Sequence, residues 1–159
     1  MVKRIVLSLV LTAQLSMGHA QMEAVLQPIE SFQEGEWFQL RLHYGPFNAS
    51  YATFSLERDT LRGKPVFHAK GFGETTGLAR WFFKVEDYYE SYFDETTVQP
   101  YKFIRDINEG GYTKNIEIDF DQEKGTAIVN DKKKGEINEF SVTDGVQDLI
   151  SCCLHLLNL

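Results

Sequence analysis

The stretch "YKFIRDINEGGYTKNIEIDFDQEKGTAIVNDKKKGEINEFSV", residues 101–142, decides the fold. Apolar and polar residues alternate with period two over 101–107, 112–121, 126–131 and 136–142, the signature of half-buried strands. The links "NEGG", "QEKG" and "DKKKG" are short and contain glycine, as antiparallel neighbours require. Links this short cannot hold crossover helices, so a parallel sheet is excluded and an antiparallel meander is predicted.

The pattern extends towards the N-terminus. In "EWFQLRLHY" (36–44), Phe38, Leu40, Leu42 and Tyr44 share one face, and Gln39, Arg41 and His43 share the other. After a "GPF" turn, "ASYATFSLE" (49–57) returns with Ala52, Phe54 and Leu56 on one side, predicting a hairpin. "RDTLRGK" reads as a polar turn before the strand "PVFHAKGFGE" (65–74). "TTGLARWFFKV" places Leu78, Trp81, Phe82 and Val85 at helical spacing, which predicts a short helical turn near 77–85. "DYYESYFD" (87–94) is again a strand, and "ETTVQP" is the bend into the next.

Past residue 142 the period changes. Val146, Ile150, Cys153, Leu154 and Leu157 form a helical stripe, and Asp144 with Gln147 suits a capping box, so a helix is predicted near 145–158. The expected fold is mainly β, a curved, half-open, barrel-like antiparallel meander with these two helical pieces. The helix ends at Leu159 without a stop signal, which leads us to expect that the domain, 35–159, is incomplete at its C-terminus.

Residues 1–20 read as a secretory signal. Lys3 and Arg4 precede the apolar run "IVLSLVLTAQL", and Gly18 and Ala20 supply small residues before a cleavage point. Eleven residues are too few for a helix across a hydrocarbon core, which takes about 20. No membrane span is therefore expected after cleavage. Residues 21–34 read as an N-terminal arm.

The leader holds two of the 16 basic residues and none of the 23 acidic ones, so the remaining chain has 14 against 23, a net of −9. Such a balance argues against nucleic acid and against anionic lipid headgroups as partners. Cys152 and Cys153 are adjacent, an awkward geometry for a disulfide, and read as small buried apolar residues.

Catalytic and metal motifs are absent. Glu86, Glu90 and Asp94 fall on one strand face and Asp87 on the other, so no acid–nucleophile pair is implied. His43, His68 and His155 have no metal-ligand spacing, although His43 and His68 could be neighbours across strands. "DFDQEKG" (119–125) carries lysine where a calcium loop needs glycine. Cys153 and His155 point about 200° apart on a helix and cannot touch. No GxSxG, P-loop or GxGxxG occurs. "NAS" at Asn48 is a glycosylation sequon of a kind common by chance.

The aromatic load remains, 13% of the chain and concentrated in 81–103. In "DYYESYFD" both strand faces carry rings, so core is expected on one face and a helix, ligand or partner on the other. Trp81, Tyr88, Tyr89, Tyr92 and Tyr101 are the predicted ligand-binding residues. No catalytic residue, metal or cofactor is expected. The expected partner is an apolar or glycan ligand, or alternatively another envelope protein.

The order and spacing of three segments resemble a family of bacterial exported proteins known as domain of unknown function 3108. They are "GEWFQLRLHYGPFNASYATFSLE" (35–57), "FKVEDYYESYFDETTVQPYKFIRDINEGGY" (83–112) and "GVQDLIS" (145–151). The resemblance implies a curved antiparallel sheet with helical packing, a place in the periplasm or at the cell surface of a Gram-negative-type bacterium, and no established activity. It also implies further sequence beyond residue 159, and it offers no catalytic residues to carry over. "SCCLHLL" (151–157) departs from the family's aromatic and arginine positions, which bears on the helix's outer contacts.

Overall fold

The structure, a computed structural model, describes residues 33–157. The readings of a leader over 1–20 and of an arm over 21–34 lie outside them, save for residues 33 and 34. Eight strands follow one another in sequence and in space: β1 (Trp37–Tyr44), β2 (Phe47–Leu61), β3 (Lys64–Thr75), β4 (Val85–Phe93), β5 (Pro100–Glu109), β6 (Tyr112–Asp121), β7 (Thr126–Asp131) and β8 (Glu136–Ser141). Each pairs antiparallel with the next in a single open sheet, with β1 and β8 at its edges. The described residues also hold two short helices, α1 (Gly77–Phe82) between β3 and β4, and α2 (Leu149–Leu157) after β8. The predicted antiparallel meander is the observed fold.

Two boundaries differ from expectation. The segment read as a polar turn, 58–64, is mostly strand, because Arg62 and Gly63 alone make the reversal, both with positive φ. Such two-residue turns match the twist of their strands and allow a long hairpin. Its tip overhangs β4 and bends towards β6, where Arg62 Nη2 meets Asp119 Oδ1 at 2.6 Å. A flat sheet would hold β6 about 14 Å from β3, so this contact requires the sheet to curl.

The second helix starts at Leu149 rather than near 145. Gly145 has φ +70, which keeps the chain in a turn. The cap is Asp148, not Asp144: its Oδ1 accepts the Ile150 and Ser151 amides, each at 2.8 Å.

Period two sorts the strands onto two faces. Leu56, Phe67, Ala69, Phe93 and Phe103 point to one face, where Ile150 and Leu154 of α2 and Val98 of the β4–β5 link complete the buried core. The helix docks through Ile150 and Leu154, one turn apart. Cys152 and Cys153 lie off that line and are exposed free thiols, which corrects the expectation that they are buried.

The β5–β6 turn is held against the segment after α1. Gly110 has φ +59, and a Cβ there would stand 2.3 Å from Phe83 Cε2. Gly110→Ala is expected to lower the unfolding free energy by about 1–2 kcal/mol, from the left-handed backbone and displacement of the ring. In denaturant titrations, adding Phe83→Ala should recover the steric part. Equal losses in single and double variants would show that the ring contact is irrelevant.

Candidate functional site

The face that α2 covers is apolar well beyond the helix. Along β3, positions 69, 71 and 73 on this face are Ala, Gly and Gly, so period two clears a lane of side chains down one strand. Phe54 flanks the lane from β2 and Tyr89 from β4, since Gly71 pairs with both. A Cβ on Gly71 would make only ordinary contact with Tyr89 Cβ at 3.7 Å, and one on Gly73 would meet nothing within 4 Å. Phe38 of β1 stacks on Phe54 with ring centroids 5.0 Å apart. Ile150, Cys153 and Leu154 of α2 form the opposite wall. The result is a groove of about 370 Å³ whose surface is overwhelmingly apolar, with Glu36 and Thr53 among its few polar neighbours.

One buried polar knot fixes the helical wall. Ser91, towards the end of β4, donates from Oγ to Asp148 Oδ2 at 2.5 Å, while the Asp148 amide donates to Ser151 Oγ at 2.9 Å. Ser91, Asp148 and Ser151 are all buried. Burial pushes the Asp148 carboxyl above its ordinary range, against the pull of its donors from Ser91, Ser151 and Ile150. On the far flank of α2 the apolar face continues through Phe120, Val129 and Phe140, with Leu149 above them.

The opposite face is polar and ion-paired. His68 is 4% exposed and stacks on Tyr92 with ring centroids 3.9 Å apart. Its Nε2 lies 2.8 Å from Glu90 Oε2, and its Nδ1 lies 3.4 Å from Glu57 Oε1 and 3.6 Å from Asp59 Oδ2. Lys70 pairs with Glu57, and Lys102 and Lys132 with Glu117. The Tyr92 hydroxyl, half-buried and facing Glu90, is pushed up to about 12 by desolvation and that carboxylate. Among the described residues, no group of three or more His, Cys, Asp or Glu side chains is arranged to hold a metal ion. His43 lies on β1 opposite Asn48, two strands away from His68, so the two are not cross-strand neighbours.

The five residues predicted from sequence lie in four different places. Tyr89 lines the apolar groove. Tyr88 is exposed on the other face beside Phe72, their ring centroids 4.5 Å apart, and Tyr92 covers His68. Among the described residues, the second face of β4 carries cross-strand ring pairs and no helix. Tyr101 borders a separate polar cleft under the β2–β3 tip and donates to Asp94 Oδ2 at 3.0 Å. Burial raises the Tyr101 hydroxyl, also to about 12; at Asp94, burial pulls upward but the Thr97 and Thr96 amides and Tyr101 outweigh it and hold the carboxyl low. Trp81 stands 89% exposed on α1.

Sequence reasoning missed Phe38, Phe54, Gly71, Gly73, Ile150 and Leu154 as lining residues. The signal was present as "AKGFG", small residues at alternate positions. The tight Arg62–Gly63 turn sets the Glu57–His68 pairing, whereas the His68–Tyr92 pairing depends on the longer link through α1.

No curated protein and no solved structure matches the chain. One family model does, over residues 39–159, from the third residue of β1 through α2, with Glu36 and Phe38 of the groove just before it. The chain therefore belongs to the family described as "Protein of unknown function (DUF3108)".

Proposed function

We propose that this chain is a non-catalytic binding protein of the bacterial envelope that holds an apolar molecule between β1–β4 and α2. The observation that carries this reading is the groove itself. Its floor is cleared by Gly71 and Gly73, and its walls are Phe38, Phe54, Tyr89, Ile150 and Leu154. Apolar surface left open to water is costly, and a concave apolar site with few polar groups is the usual form of a small-molecule pocket. The scarcity of polar lining favours an acyl chain or similar ligand over a glycan, which needs a fan of hydrogen-bonding groups. The signal-like leader supports a place outside the cytoplasm.

An environment-sensitive apolar dye such as phenylnaphthylamine is expected to brighten on binding the protein and to be displaced by fatty acid. Native mass spectrometry of protein purified without detergent should show retained apolar adducts. Absence of both dye binding and adducts would overturn the reading.

Cys153 offers an independent check from inside the wall. In a Cys152→Ser protein, alkylating Cys153 with a bulky maleimide should weaken dye binding at least about tenfold, by occupying the groove. Saturating fatty acid should in turn slow the alkylation. A modified protein that binds dye normally would place the dye elsewhere.

A further inference from the structure

We propose that the end of the sheet carrying α1 docks on the surface of a phospholipid bilayer, with Leu78, Trp81 and Phe82 entering the boundary between headgroups and acyl chains. The helix has six residues and buries none of them. Leu78, Trp81, Phe82 and Phe83 are 59%, 89%, 84% and 54% exposed, four large apolar side chains within six positions. Phe47 and Tyr112, both exposed, begin β2 and β6 at the same end of the sheet. Exposed apolar side chains massed in this way mark an interaction surface.

The segment is nonetheless firmly placed. The Thr76 amide donates to Ala49 O at 2.9 Å, Thr75 Oγ1 donates to Phe83 O at 3.0 Å, and the Val85 amide donates to Thr75 Oγ1 at 2.9 Å. Arg80 is tied to Glu86. The backbone is pinned while the rings stay outside, so docking would add apolar burial with little extra ordering cost.

Charge identifies the partner. The links at this end, residues 45–46, 76–84, 110–111 and 132–135, contain Arg80, Lys84, Lys132, Lys133 and Lys134 and no acid. The links at the other end, 62–63, 94–99, 122–125 and 142–148, contain Arg62 and Lys124 against Asp94, Glu95, Glu123, Asp144 and Asp148. The strand ends beside the first set add Glu74, Glu86, Glu109, Asp131 and Glu136, which pair with several of its cations, so the aromatic end is close to neutral while the other end is acidic. Amphipathic rings beside basic side chains suit the phosphate and glycerol layer of a membrane. No helix among the described residues is long and apolar enough to cross a membrane, so the contact is peripheral. This surface does not depend on the groove being a binding site.

The chain has two tryptophans, Trp37 and Trp81, so Trp37→Phe leaves a single reporter. With vesicles of phosphatidylethanolamine and a minor share of phosphatidylglycerol, Trp81 emission should shift to the blue. Brominated acyl chains should quench it. The double variant Trp81→Ser/Phe82→Ser should lose at least about tenfold in vesicle co-sedimentation, with an unchanged far-ultraviolet spectrum because both side chains are exposed. Lys132→Glu/Lys133→Glu/Lys134→Glu should reduce binding further in low salt than in high salt. Unshifted Trp81 emission, equal sedimentation of the double variant, or self-association that the double variant abolishes would each overturn the proposal.

Discussion

Replacing Asp148 by alanine is expected to lower the unfolding free energy by about 3 kcal/mol, roughly 1 from the lost helix cap and the rest from a buried Ser91 hydroxyl left without its partner. Both parts trace to one carboxylate. Its Oδ1 serves the Ile150 and Ser151 amides, and its Oδ2 takes the hydroxyl of Ser91. Asp148→Asn should cost less than about 1 kcal/mol, because asparagine caps helices as well as aspartate does and its amide can donate to Ser91 Oγ. The pH dependence separates charge from shape. Burial raises the Asp148 carboxyl in the folded state, so the native chain holds this proton more tightly than the unfolded chain does. As pH rises through the ordinary aspartate range and up to the raised folded value, the unfolded chain ionises first and wild type loses stability. Asp148→Asn lacks that loss, so its deficit relative to wild type should be largest at low pH and shrink as pH increases. Denaturant titrations across that window measure it. Equal costs for alanine and asparagine would show that hydrogen bonding at this cap is not what holds α2 down.

The same residue marks how far the sequence could be read. Strand positions from 101 to 142 were legible because period two, glycine and short links all agree there. The half-buried registers of β4 to β8 then follow from the turns. The cap was misplaced because Asp144 and Asp148 both precede apolar residues at helical spacing. The choice between them rests on Ser91, fifty-seven positions away in the chain. The groove was hidden for a related reason. Attention to rings picks out Trp81, Tyr88, Tyr89, Tyr92 and Tyr101, yet a groove is made where side chains are missing. Gly71 and Gly73 carry that information only once β2 and β4 are known to flank β3.

Gly73→Leu is expected to separate binding from stability. Gly73 does not need a left-handed backbone, and a Cβ there meets nothing within 4 Å, so leucine enters without strain. Leucine in a strand loses less backbone entropy than glycine and covers some of the apolar surface of Phe38 and Phe54. The variant should therefore unfold at equal or higher denaturant, by up to about 1 kcal/mol. The same side chain fills the lane through which a ligand would lie between Ala52 of β2 and the α2 wall. Affinity for an apolar dye should fall at least about tenfold. Tyr88→Leu, on the opposite face and exposed, is the matched control and should leave dye affinity unchanged. A destabilising mutation can lower binding by unfolding the protein. A stabilising one that lowers binding acts by occupying the site. If Gly73→Leu kept full affinity while Tyr88→Leu lost it, the ligand would sit on the tyrosine face of β4, and the apolar lane would be only a seam between the sheet and its helix.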